Sequence, residues 1–289
     1  MKTKINYTAE EKKAYFAEKK KEVDAALIEG VKHCYTEGNF KKYLDTIRKF
    51  HSYSINNCML ITMQMPDATL IAGYNDWKKK FKRHVKAGEK GIKIIAPMPC
   101  KYNVKIGEKD DHGNDIEKTV EYMRYTVKCV FDYSQTEGEE LPTICNPLTT
   151  SVENYDQIIE ALMNISSVPV TFEDFSDSAF GYYDKQTNRI VVKDHLPQAQ
   201  TIKTLIHEIA HSILHNDAFI GIPRDVKEIQ AESVAYMVCS DLGIDTSDYS
   251  FEYVAAWSEF DIKKLTDQMT IVKKTAESIT ESIRKDVFS

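Results

Sequence analysis

The segment His207-Glu208-Ile209-Ala210-His211 constrains this chain more than any other five residues. Two imidazoles four positions apart face the same way only where the backbone between them is helical, because one turn then stacks the second ring over the first. In that geometry both rings reach one divalent ion, and the carboxylate between them stands beside the water that the ion activates. The flanks agree, since Thr201 to Ile206 and Ser212 to Leu214 continue an apolar stripe at helical spacing with no proline or glycine. The segment therefore predicts a helix with His207 and His211 as metal ligands and Glu208 as general base. The alternative is two histidines making ordinary hydrogen bonds on a buried helix.

A catalytic ion of this kind takes three protein ligands and keeps one position open. His215 continues the same helical face, but eight residues separate it from His207, about 12 Å of α-helix, too far for both to share an ion. It is read as a hydrogen-bonded neighbour. The third ligand is sought in Val226 to Cys239, a second helical pattern in which Glu228 and Glu232 share one face beside Ala231 and Ala235. Small residues there allow two helices to approach closely enough for a carboxylate to reach the ion. Glu228 is expected as the ligand and Glu232 as the group that orients a ligating histidine. The competing reading leaves both glutamates solvated on an exposed face. Ahead of the motif, Gly181 to Val192 reads as two strands around a polar turn.

On the His-Glu-x-x-His segment and on Glu228-Ile229-Gln230-Ala231-Glu232, this half of the chain resembles the ImmA/IrrE group of gluzincin metallopeptidases, with a glutamate in place of the usual asparagine at 232. The resemblance implies a zincin-like fold, a Zn2+ ion and a peptide or protein substrate. Mn2+ is also compatible, because histidine with carboxylate suits several first-row ions. It further implies an edge strand beside the ion, along which an extended substrate adds by main-chain hydrogen bonds. Tyr182 or Tyr183 would then polarise the scissile carbonyl as a transition-state stabiliser, unless they pack as strand tyrosines commonly do.

At 289 residues the chain has room for two domains. Met1 to Tyr7, followed by Glu10-Glu11-Lys12-Lys13, lacks the apolar centre of a secretory signal, and no apolar run approaches membrane-spanning length. A cytoplasmic protein without membrane partners is expected. Six cysteines without a Cys-x-x-Cys pair are read as reduced thiols. Charge is divided unevenly: residues 1–105 carry 22 Lys and Arg against 11 Asp and Glu, whereas the remainder carries 16 against 33. A basic half joined to an acidic half suggests a polyanion-binding module fused to something else. Leu141 to Pro147 marks the expected boundary, giving domains at 1–140 and 150–289, and Ile106 to Asp115 reads as a polar hairpin tip or exposed loop.

In the basic half, helical patterns at about 8–29, 40–50 and 53–63 precede a stretch where positive charge and aromatics alternate. Tyr74, Trp77, Lys78, Lys79, Lys80, Lys82, Arg83, Lys86 and Lys90 are the candidates for binding single-stranded nucleic acid, the cations meeting phosphates and the rings stacking on bases. The opposing reading puts Trp77 and Phe81 in a core beneath a solvated lysine face. Five blocks, Ser54 to Asn57, Gln64 to Thr69, Gly73 to Trp77, Val85 to Ile92 and Val130 to Thr136, are similar to the amino-terminal domain of ArdC-type antirestriction proteins, while Glu228 to Tyr236 and Asp245 to Phe251 in the other half resemble the LtrC-like or ImmA/IrrE branch. That resemblance implies single-stranded DNA binding followed by a metallopeptidase-like domain, in a protein carried by mobile elements that shields incoming DNA from restriction.

The expected fold class is thus α+β: an N-terminal DNA-binding domain with a small antiparallel sheet, then a zincin-like domain whose sheet packs on the motif helix. A charged amphipathic helix is expected from about Ile262 to Val287. Two other functions compete with the combined DNA-binding peptidase. One is a DNA-coating or decoy protein with a structural or vestigial metal site, and the other is an ImmA-like protease that cleaves a repressor.

Overall fold

A computed structural model describes residues 9–34, 37–109, 115–141, 152, 154–176, 179–215, 222–246, 249, 251 and 262–288. The tip of the expected hairpin at 110–114 and the expected boundary at 142–147 lie outside them. The first half opens with three helices, α1 (Ala9–Cys34), α2 (Glu37–Lys49) and α3 (Ile55–Gln64). There follow β1 (Ile71–Gly73), α4 (Tyr74–Lys80), β2 (Arg83–Val85), the long strands β3 (Ile92–Lys109) and β4 (Asp115–Asp132), a single 3-10 turn at Tyr133–Gln135, and β5 (Thr136–Gly138). The strands form an antiparallel sheet in the order β1-β4-β3 and a β2-β5 pair. This is the small antiparallel sheet expected for the first half.

Strand β3 is an edge, and the chain closes it from the side. Asn57 donates its amide to the Ile95 carbonyl (2.8 Å) and accepts from the Ile95 N–H (2.9 Å). Two turns later on α3, Gln64 does the same for Lys93, at 2.9 Å in both directions. Further along the edge, Pro97 and Pro99 bring no N–H of their own, so between Lys93 and Pro99 little is offered to a foreign strand.

The family-like blocks meet around Asp132, which is 1% exposed. Its carboxylate accepts the backbone N–H groups of Thr69 (2.7 Å), Leu70 (3.1 Å) and Ser134 (2.9 Å). Gln135 accepts from the Asp132 N–H and donates to the Lys90 carbonyl. Two sequence expectations are corrected here. Trp77 is fully buried, its indole N–H donating to the Phe131 carbonyl at 2.9 Å, so it offers no face to a base. Arg83 is 6% exposed, and its guanidinium donates to the hydroxyl and carbonyl oxygens of Thr136 and lies over the Tyr133 ring at 4.2 Å. It ties β2 to β5 and is not free for a phosphate.

The second half contains α5 (Tyr155–Ile165), β6 (Val170–Glu173), β7 (Gly181–Asp184), β8 (Arg189–Lys193), α6 (Gln198–Leu214), α7 (Arg224–Asp241) and α8 (Ile262–Phe288). Its sheet runs β6-β8-β7, with β8 parallel to β6 and antiparallel to β7. Ile190, Val191 and Val192 of β8 are fully buried, as a central strand covered on both faces requires. Strand β7 is the edge beside α6. The fold is α+β throughout, and the sheet of this half packs on the motif helix.

One continuous core joins the halves. Phe40 of α2 meets Phe251 edge-on at 5.0 Å, Arg48 pairs with Asp241 of α7 at 2.9 Å, and the Tyr236 hydroxyl reaches Asp45 at 3.2 Å. From α8, the buried Lys273 ammonium donates to the carbonyls of His51 and Tyr53, each at 2.8 Å, just beyond the C-terminus of α2 where the helix dipole favours a cation. Among the described residues, no helix is long and apolar enough to cross a membrane, and Cys58, Cys100, Cys129 and Cys239 are free thiols.

Replacing Asp132 strands three backbone donors at once. Asp132→Ala should lower the unfolding free energy by roughly 3 kcal/mol or more, read by urea unfolding followed through tryptophan fluorescence. A loss below roughly 1 kcal/mol would show that the hub does not hold the module together.

Candidate metal centre

Helix α6 turns Ile202, Leu205, Ile206, Ile209 and Ala210 into the core, which leaves His207 and His211 on its other flank facing α7. Their Nε2 atoms stand 3.0 Å apart. Helix α7 approaches through Ala231 and Ala235, both fully buried, and the closeness these small side chains permit brings Glu228 to the rings. Its Oε2 lies 3.5 Å from His207 Nε2 and 3.4 Å from His211 Nε2. Bonds of roughly 2.0–2.1 Å to a tetrahedral ion imply ligand-to-ligand edges of about 3.4 Å. The three donor atoms therefore match one face of such a polyhedron, and they all lie within 4.8 Å of one another.

The groups behind the rings settle which nitrogen offers a lone pair. His207 Nδ1 lies 3.1 Å from Glu232 Oε2, so its Nδ1–H is donated there. Glu232 is itself steadied by Lys203 at 3.4 Å, whose ammonium sits 3.6 Å above the Tyr249 ring. Behind His211, its Nδ1 meets His215 Nδ1 at 2.8 Å, and His215 Nε2 meets Gln230 Oε1 at 2.9 Å. The Gln230 amide nitrogen donates to Gln268 Oε1 on α8. Burial pulls the His215 imidazole down to about 4, so it is neutral and its Nδ1 accepts. With both ligand rings protonated at Nδ1, two lone pairs and a carboxylate converge on one point. Such a donor set is satisfied by a cation.

The electrostatics agree. Burial pulls His207 down, but the hydrogen bonds it donates to Glu228 and Glu232 outweigh it and hold the ring up at about 9, so without an ion a proton occupies Nε2 where an ion would displace it. The His207 and His211 rings keep the Glu228 carboxyl well below the usual range, against a smaller opposing effect of burial. Burial pushes the Glu208 carboxyl up, against the pull of His207 and His211. Glu208 is 7% exposed and accepts the backbone N–H of Tyr183 on β7.

That last contact depends on Gly181. A Cβ there would meet Thr204 Cγ2 of α6 at 2.6 Å and the Val191 carbonyl at 2.9 Å, so only glycine lets β7 lie this close to the motif helix. A pocket of about 600 Å³ opens over the centre, lined by Gly181, Tyr182, Tyr183, Lys185, His207, Glu208, His211, His215, Arg224, Lys227 and Glu228 among others. The Tyr183 hydroxyl donates to Asn188 at 2.9 Å within the β7–β8 turn, while Tyr182 is 40% exposed with its ring against Phe175 at 5.7 Å.

The structure thus brings His207, Glu208, His211, Glu228, Glu232, Tyr182 and Tyr183 to one place. The lysines of the other candidate site lie far along the chain on α4 and the loops after it. Tyr74 is 57% exposed, and Lys78, Lys79, Lys80, Lys82, Lys86 and Lys90 are all exposed. Lys80 pairs with Asp76 at 3.0 Å, Lys82 with Glu139 at 3.6 Å, and Lys86 donates to the Ser134 carbonyl. Sequence reasoning missed Lys203, Gly181, Gln230 and Gln268. A polar Gln230 between Glu228 and Glu232 on a helix flanked by apolar residues was a usable signal for one of them.

Gly181→Ala should push β7 off α6 and cost about 1–3 kcal/mol in stability, with part recovered when Thr204→Ser is added, since the nearest clash is with the Thr204 methyl. Thermal unfolding of the single and double variants measures this. An unchanged melting temperature for Gly181→Ala would refute the close-approach role.

Comparison with known proteins follows the same division. Residues 15–131 match the family model described as "N-terminal domain of anti-restriction factor ArdC", and residues 124–236 match one described as "Putative metallopeptidase family". An uncharacterized protein of Bacillus anthracis is 27% identical over 99% of this chain, which spans 54% of that protein's length. Two crystal structures of the antirestriction protein ArdC from plasmid R388 share the fold. The metal-free form has a TM-score of 0.50 at 18% identity, covering 81% of this chain and 86% of that one. The Mn(II)-bound form has a TM-score of 0.50 at 19% identity, covering 80% and 85%. The amino-terminal part of the chain thus matches the ArdC N-terminal domain family, the part after it matches a putative metallopeptidase family, and the fold is the one seen in ArdC.

Proposed function

We propose that this protein is a metal-dependent peptidase of gluzincin type fused to a single-stranded DNA-binding domain, acting in the cytoplasm as an antirestriction-type factor of a mobile element. The observation that carries the peptidase reading is the triangle of His207 Nε2, His211 Nε2 and Glu228 Oε2, with the Glu208 carboxylate on the same helix beside it. The donor set fits a first-row divalent ion, Zn2+ or Mn2+. The Mn(II)-bound form of ArdC from plasmid R388 supports a divalent ion in a protein of this fold.

When bound, the ion supplies Lewis-acid activation of water and of the scissile carbonyl. His207, His211 and Glu228 hold it, and Glu232 keeps His207 in the tautomer whose Nε2 faces it. Glu208 takes the proton from the attacking water and returns it to the amine nitrogen as the C–N bond breaks. Burial of Glu208 suits both roles, because it narrows the gap between the carboxylate's proton affinity and that of its partners. The edge position of β7 supports an extended peptide running beside it, and the Tyr183 N–H held by Glu208 is one donor such a peptide does not use. Tyr182, with its exposed ring over the pocket, is better placed than Tyr183 to meet a substrate carbonyl, because the Tyr183 hydroxyl is committed to Asn188.

For DNA, the exposed lysines 78, 79, 80, 82, 86 and 90 with the exposed ring of Tyr74 form the binding surface, without Trp77 and Arg83. A cationic surface with a stacking ring recognises a single strand with little regard to sequence.

Glu208→Gln should lower peptide cleavage by at least about a hundredfold while metal content and DNA affinity stay unchanged. Equal cleavage by a pure preparation would exclude this mechanism. If Glu208→Gln still shields transferred DNA from restriction, the DNA-binding half carries that protection alone. Lys78→Ala with Lys79→Ala should flatten the dependence of log K on log salt by about 0.7 for each lysine that meets a phosphate. Tyr74→Ala should cost roughly 1–3 kcal/mol of single-strand affinity. An unchanged salt slope and affinity in fluorescence anisotropy titrations would place the DNA surface elsewhere.

A further inference from the structure

We infer that His215, Gln230 and Gln268 form a hydrogen-bond relay that positions His211 for the ion, and that the relay makes ion affinity depend on the seating of the C-terminal helix. The inference rests on the metal-centre reading given above. Read outward from the Gln230 amide, the links run in one sense. Gln268 Oε1 accepts from the Gln230 amide nitrogen, which turns the Gln230 Oε1 toward His215. That oxygen takes the His215 Nε2–H at 2.9 Å, leaving a lone pair on His215 Nδ1. The lone pair takes the His211 Nδ1–H at 2.8 Å, and the remaining lone pair of His211 lies on Nε2, 3.4 Å from the Glu228 carboxylate.

Burial gives the relay its force. His215 and Gln230 are 1% and 2% exposed, so neither finds water to replace a lost partner. Had the space needed only filling, an apolar side chain would have done so without desolvating polar atoms. The two ion-facing rings are therefore held differently. His207 leans on Glu232, a carboxylate paired with Lys203, whereas His211 leans on uncharged groups that end on α8. Two residues before Gln268, the Thr266 hydroxyl meets Asn56 Oδ1 of α3 at 2.8 Å, and the next residue on α3, Asn57, grips strand β3. The end of the relay is thus fixed on a helix that the first half of the chain also holds.

The test uses the full chain, with Mn2+ and, separately, Zn2+ titrated by calorimetry and by chelator competition at one pH. His215→Leu fills the space but accepts nothing at the His211 Nδ1–H, and should weaken binding about 10- to 100-fold. His215→Asn places an amide oxygen near the position of the ring Nδ1 and should stay within about threefold of the parent. Gln268→Leu, remote from the ion, should weaken binding severalfold by freeing the Gln230 amide to turn over. Melting temperatures in EDTA separate these effects from a general loss of stability. Parent-like affinity in His215→Leu overturns the relay, as does equal weakening by Asn and Leu, which would show that the imidazole acts by its shape. A parent protein that binds neither ion sinks the metal-centre reading itself, and the parent titration alone reveals it.

Discussion

The contact on which the candidate site depends is the close approach of α6 and α7. It is made possible by Ala231 and Ala235, and without it no carboxylate of α7 would reach the rings of α6. A larger side chain at either position would push the helices apart and open a triangle whose edges are 3.0, 3.4 and 3.5 Å. The same logic operates on the other side of α6, where Gly181 admits β7. Small residues thus set the spacing on both flanks of the motif helix. Large polar side chains then fill the space so defined: Glu228 toward the ion, Glu232 and His215 behind the rings, Glu208 toward β7.

Helices α7 and α8 belong to both halves of the chain. One end of α7 carries Glu228 and Glu232, and the other carries Tyr236 and Asp241, which bind Asp45 and Arg48 of α2. Helix α8 carries Gln268 toward the metal centre and Lys273 toward the end of α2. One core runs through both halves, so α2 and α3 pack against the same helices that carry the metal centre.

Much of the site was legible because its residues lie within single helices. The four-residue spacing of His207 and His211 states a shared face, and Glu228 with Glu232 states another. The helices and the β7–β8 hairpin were likewise readable from periodicity, as was α8. What escaped was set by contacts far apart in sequence. Gln268 joins the site across 38 residues from Gln230, and nothing local marks it. Trp77 stands beside three lysines on a helix of seven residues, too short to display a period, so its burial could not be told from exposure. Arg83 looks like its basic neighbours in the sequence, but strand β5, more than 50 residues on, supplies the oxygens that bury it. Charge pattern gives the composition of a surface, and distant pairing decides which members of it face water.

The most direct test of the account is an anomalous difference map from crystals of the full chain soaked in Zn2+. One peak is predicted at about 2.0–2.2 Å from His207 Nε2, His211 Nε2 and a Glu228 oxygen, with His211 Nδ1 still bonded to His215. A peak that leaves Glu228 turned away from both rings, or a site that stays empty in saturating zinc, would contradict it.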